Sequence, residues 1–229
     1  MVKLTVIYIL LLFTSFSIYG QEPATEEGED LDLQGVAALF KDSESLEEFE
    51  QKLNSEDQEV NNLDLNQDDQ VDYLRVLEST EETTHLIVVQ ASLGEDAYQD
   101  VCTIEVDKDE DGNTYVQIVG DKAIYGDDYI LEPPEEEQEK VNKTTIVVIL
   151  FAPGYRPWRS PWRWGRYPHW FRPWRPIPRA TYRNRMVARY PRKGHWRNTK
   201  RRKSSRATTM HRNTRKATPR ARTTPRGRH

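Results

Sequence analysis

Beyond Glu139 this 229-residue chain has no Asp or Glu, and before Trp158 it has no Trp. The first absence leaves everything after Tyr155 with 25 Lys and Arg and no compensating acid. The opposite shortage lies upstream. Between Glu22 and Glu139 only five bases (Lys41, Lys52, Arg75, Lys108, Lys122) stand among all 37 acids, a net charge of −32. The formal net charge of −4 thus averages two opposite poles. Such sorting points to binding of polyanions and cations rather than to a reaction.

Cysteine is nearly missing as well. Cys102 alone excludes an internal disulfide and a cysteine-built zinc site, which needs several ligands. Its alternation with Ile104 and Val106 predicts a buried strand position. No nucleophile elbow, P-loop, dinucleotide fingerprint or H-E-x-x-H motif occurs, and Ser and His do not cluster near a Gly-rich turn. The expectation is a protein that is not an enzyme and has no small-molecule substrate.

What is present begins with a signal-peptide pattern over residues 1–20. Lys3 supplies the positive start, 6–13 is apolar except for Tyr8, and small or polar residues lead to Gly20. The apolar stretch is shorter than the ~20 residues a bilayer span needs. Export follows as an expectation, to the periplasm, cell envelope or extracellular space, and a single cysteine suits a bacterial envelope.

Periodicity divides the rest. Residues 21–31 form an acidic disordered leader and 32–132 a small acidic domain. There Leu33, Val36, Ala37 and Phe40 follow helical spacing, and Ser45 with Glu48 makes a capping box before Leu46, Phe49 and Leu53. Strands are predicted at 71–78, 85–91, 101–106 and 115–119, the last two joined through Asp111-Gly112. A polar linker (133–145) leads to an apolar run (146–153) that is either a strand or an interfacial segment. A Trp/Arg/Pro-rich segment (154–196) and a basic tail (197–229) close the chain. The predicted fold class is α+β: two N-terminal helices and a four-stranded antiparallel meander, followed by a long disordered basic tail.

The most motif-like segment is the loop with Asp64, Asn66, Asp68, Gln70 and Asp72. Oxygen side chains at alternating positions, with a backbone carbonyl from Gln70, suit a hard cation, here Ca²⁺ bound weakly. The loop resembles the calcium loops of EF-hand and dockerin modules, D-x-N-x-D-x-x-V-D. Asp69 stands where that family usually has Gly, and Arg75 where the closing acid belongs. Residues 107–113 carry a similar pattern, for which a polar hairpin turn is the simpler account.

In the tail, Arg156, Trp158, Arg159, Trp162, Arg163, Trp164, Arg172, Trp174 and Arg175 interleave guanidinium groups with aromatic faces. Guanidinium groups bind phosphates or carboxylates bidentately, and Trp favours the membrane–water interface. The expected partner is an anionic lipid or acidic polysaccharide surface, ahead of nucleic acid, which is not the routine partner of an exported chain. The tail can also neutralise the acidic domain of its own or a neighbouring chain. The four tail histidines lack metal-ligand spacing, and His85 reads as a half-buried sheet residue.

The acidic domain resembles an uncharacterised family of exported bacterial proteins. The resemblance rests on Asn62 to Asn66 with Val71-Asp72-Tyr73, Thr84-His85-Leu86, Tyr98 to Val101, Thr103-Ile104-Glu105 and Gln117 to Asp121. It covers about half the chain and implies export and a non-enzymatic role. The layout of signal peptide, acidic domain and cationic Trp/Arg segment is also similar to cathelicidin-type antimicrobial precursors, whose four cysteines are absent here.

Overall fold

A computed structural model describes residues 26–126, 129–191 and 194–217. The expected signal peptide and the far end of the basic tail lie outside them. After a 3-10 turn (Glu26–Asp30), helix α1 (Leu33–Lys41) starts where Asp32 accepts the Gln34 N–H at 2.7 Å. Helix α2 (Leu46–Leu53) starts where Ser45 accepts the Glu48 N–H at 3.2 Å, while the Glu48 carboxylate reaches back to the Glu44 N–H at 2.7 Å. Both caps satisfy amides the helix leaves open.

Six antiparallel strands follow one another in a single sheet: β1 (Tyr73–Glu81), β2 (Thr84–Gly94), β3 (Ala97–Lys108), β4 (Thr114–Gly120), β5 (Ile130–Glu132) and β6 (Arg197–Thr199). The β3–β4 turn uses Gly112 at φ 81°, a left-handed conformation that glycine adopts without steric cost. A register shift between Val89 and Gln90 sets Cys102 opposite Val89 and Asp100 opposite Gln90.

One sheet face carries Leu74, Val76, Ile87, Val89, Cys102, Ile104, Val106 and Ile118 into the main core, against α1 and α2. The other face is polar and acidic, with Gln90, Asp100, Glu105, Asp107, Gln117 and Glu132 all buried. Helix α3 (Lys122–Tyr125) leads to β5, and α4 (Glu135–Asn142) and α5 (Thr145–Leu150) extend the core side. Among the described residues no helix is long and apolar enough to cross a membrane.

The expectation of a four-stranded meander with two helices is overturned, and so is that of disorder in the basic region as far as Ala217. The described residues hold six strands and seven α-helices, and the basic region wraps the sheet. Residues 158–160 lie along the free edge of β1: Glu78 N–H donates to Trp158 O at 2.8 Å and Ser160 N–H to Val76 O at 3.0 Å. Helix α6 (Arg179–Arg189) buries Tyr182 and Met186 near α1, and the Tyr182 hydroxyl donates to Val60 O at 2.6 Å. Strand β6 then pairs with β5, and α7 (Ser205–Ala217) sets Ala207 and Met210 on Leu86 and Val88. The sequence misleads for a physical reason. What holds this region is in large part its complement of bases facing carboxylates, some of them buried, and each helix buries only two apolar side chains, too few to register as periodicity. The run at 146–153, expected as strand or interfacial segment, is mostly α5, whose Ile146, Val147 and Leu150 enter the core.

Candidate functional site

The Asp-rich loop is stapled at its base. Asp72 N–H donates to Leu63 O at 2.8 Å, and Asn61 donates its side-chain amide to Asp72 O at 2.8 Å. Inside, Asp64 accepts the N–H groups of Asp68 and Asp69 at 3.0 and 3.1 Å, and Asp68 accepts that of Gln70 at 3.0 Å. Asn66 accepts the Asp68 N–H and donates to the Asp68 carboxylate, both at 3.1 Å. Asp69 adopts φ 63°, the conformation for which calcium loops use Gly, and Asp is among the residues that enter it most readily.

The loop's first ligand positions thus share one turn, but its closing position is not filled. Arg75 turns to the other sheet face, where it donates to Gln90 Oε1 at 3.0 Å and lies 3.7 Å from the centre of the Tyr98 ring. Asp72 is buried and accepts the Leu65 N–H at 2.6 Å. Burial pushes its carboxyl up to about 8, and the charges of Asp64 and Asp68 push the same way against that hydrogen bond. The oxygen-only donor set fits a hard cation, whose charge would reverse that shift. At 107–113 the chain makes a turn: Asp109 accepts the Asp111 and Asn113 N–H groups at 3.1 and 2.8 Å.

The Trp/Arg segment is rooted on two carboxylates that sequence reasoning passed over. Glu50 accepts from Tyr73 OH (2.8 Å), Val76 N (3.0 Å), Trp158 Nε1 (3.1 Å) and Ser160 Oγ (2.6 Å). Burial raises its pKa despite these donors. Glu78 accepts from Tyr155 OH (2.5 Å) and Trp158 N (2.9 Å) and meets His85 Nδ1 at 2.6 Å. A signal for Glu50 was available: it lies four residues after Leu46 and three before Leu53, so it shares their buried helix face. Further along, buried Phe171 meets Tyr73 edge-to-face at 4.9 Å, and Val71 N–H donates to Trp174 O at 2.9 Å.

The structure brings the predicted tail residues together on one segment but treats them differently. Trp158 is half-buried, whereas Trp164 (38%) and Trp170 (36%) are exposed. Arg156, Arg159, Arg163, Arg166, Arg172 and Arg175 are exposed, and among the described residues no carboxylate pairs with any of them. Downstream the pattern reverses. Arg179 meets Asp30, Arg183 meets Glu29, and Arg185 and Arg189 meet Glu59. Arg197 and Lys203 share Glu132, Arg202 meets Glu105, Arg206 meets Glu82, and Arg215 meets Asp121 at 2.8 Å. Burial alone would raise Glu132, but Lys203 and Arg197 outweigh it and hold its pKa down. At Glu105 burial outweighs Arg202 and the pKa rises.

One further cluster was not anticipated. Asp100, Asp121 and His211 place potential ligand atoms within 4.8 Å of one another, the one such group of three among the described residues. His211 Nε2 lies 3.0 Å from Asp100 Oδ2, and Gln90 donates to Asp100 Oδ1 at 2.6 Å. The Arg215 guanidinium, against Asp121 and 3.9 Å from Asp100, supplies the positive charge there, so the cluster works as an ion-pair lock for α7. Its signal was hidden because His211 and Arg215 lie in a segment expected to be disordered. Comparison with protein-family models, curated proteins and solved structures finds no match to this chain.

Proposed function

We propose that this chain is an exported, non-enzymatic binding protein whose segment 156–175 holds an anionic surface through its phosphates or acidic sugars. The observation that carries the reading is the division of the basic region. Nine of the twelve described Lys and Arg between Arg179 and Arg215 pair with carboxylates, whereas none of the six exposed arginines between Arg156 and Arg175 does, Arg172 donating only to the carbonyls of His169 and Phe171. A paired guanidinium must break one ion pair to make another, and an unpaired one need not. Exposed Trp164 and Trp170 among those arginines suit a boundary between water and a less polar phase.

A second reading keeps the notion of self-neutralisation, and the ion pairs of residues 179–215 favour it. The two are compatible: the later part of the tail fastens the domain, and the earlier part faces outward. The test is sedimentation with phosphatidylcholine vesicles, with and without phosphatidylglycerol, beside a polygalacturonate arm. The expected result is binding to an anionic target, weakened in Arg156→Gln/Arg163→Gln/Arg166→Gln. A Trp blue-shift identifies the lipid as source, and binding without one identifies the acidic glycan. Equal binding by the variant would transfer the function elsewhere.

A further inference from the structure

We infer that the groove between Trp170, Trp174 and helix α2 is a saccharide-binding site for an uncharged oligosaccharide, adjoining the arginine face, with which it shares Trp170 and Arg172. The groove encloses about 520 Å³. One wall is aromatic and pre-positioned. Trp170 and Trp174 both lean on buried Phe171, with ring centres 6.4 and 6.3 Å away, and the Trp174 backbone is held by Val71 N–H. The opposite wall comes from α2 and the 3-10 turn after it (Glu56–Gln58).

The side chains of that wall fall into two groups. Lys52 is engaged by Glu48 and Asp42, each at 3.0 Å, and the Asn54 amide is consumed by the backbones of Glu50 and Leu74. Gln51, Glu56, Asp57 and Gln58 make no side-chain hydrogen bond within the described residues, so their donors and acceptors face the groove or water.

Two indoles lining one groove with amides and carboxylates suit a sugar ring, which presents C–H groups on its faces and hydroxyls on its rim. The charge of the walls selects among sugars. Glu48, Glu56 and Asp57 outnumber Lys52 and Arg172, so the groove disfavours acidic glycans and suits neutral ones. Rigid aromatic side chains also lose little freedom on binding.

The test titrates the full chain with cellohexaose, chitohexaose and mannohexaose, following tryptophan emission and heat. A saturable response to at least one is expected. Trp174→Ala should weaken it about tenfold or more. Because that change touches packing against Phe171, the pair Asp57→Ala/Gln58→Ala, at an exposed and a half-buried position, probes the other wall and should weaken binding by about threefold or more. The Arg156→Gln/Arg163→Gln/Arg166→Gln chain should bind the sugar unchanged, so loss of anion binding and loss of sugar binding are read separately. No saturable response to any of the three sugars, or a response indifferent to the Asp57/Gln58 change, would overturn the site.

Discussion

Asp72 shows how burial ties the titration of one carboxyl to stability. Its pKa of about 8 in the folded protein stands above the ordinary 3.8, with burial as the main cause. Between those two values the folded chain holds a proton that the unfolded chain releases. The stabilising contribution is therefore full below the lower value and is lost as pH rises towards the higher one. Asp72→Asn keeps an acceptor for the Leu65 N–H and removes the titration. It should match the wild type near pH 4 and melt roughly 3–6 °C higher above pH 8, as a Tm-against-pH series would reveal. Glu50 behaves differently because it accepts from four donors. Glu50→Ala strands all of them and should cost on the order of 3 kcal/mol in denaturant unfolding, whereas Glu50→Gln should cost clearly less. Residue types alone suggested Asp72 as a ligand. They did not suggest Glu50, because one acid among Glu47, Glu48 and Glu50 looks like any other until its helix face is counted.

At the scale of elements, the Asp-rich loop and the proton on Asp72 are one system. A cation that uses the Asp72 oxygens must displace that proton. Calcium titration is therefore expected to release up to one proton at neutral pH, with affinity rising about tenfold per pH unit until about pH 8. Calorimetry in two buffers of different ionisation enthalpy reads the proton directly, with Asp64→Ala/Asp68→Ala as the control that abolishes the heat. Affinity that is flat with pH would remove Asp72 from the ligand set. Elements also explain what could be read in advance. Alternation through Cys102, Ile104 and Val106 places all three in the core, and the Asp111-Gly112 turn lies where the hairpin bends. β5 and β6 have three residues each, too few for alternation to stand out. α6 and α7 are Arg-rich helices that meet carboxylates more than a hundred positions earlier, such as Glu59 for Arg185 and Asp100 for His211.

Across the whole molecule, the sorted charge becomes architecture. A sheet with Asp100, Glu105, Asp107 and Glu132 buried on one face is unfavourable alone, since like charges repel and each pays for lost hydration. The basic region answers this from β1, whose edge it covers at residues 158–160, to α7 on the opposite face. Ion pairs between the two poles are attractive, and salt screens attraction over a Debye length of ~10 Å at 0.1 M. Stability of the full chain should therefore fall as salt rises from low ionic strength. Arg202→Gln/Arg215→Gln removes cations that face Glu105 and Asp121, and should both lower Tm at low salt and flatten its salt dependence. Arg156→Gln/Arg163→Gln/Arg166→Gln removes cations with no carboxylate partner, and should leave Tm and its slope nearly unchanged while weakening capture by anionic vesicles. Thermal melts of the three chains across a salt series decide the matter. If the two variants lost the same salt slope, the separation of a fastening part from an outward-facing part would fail, and the whole basic region would act as one diffuse counter-charge.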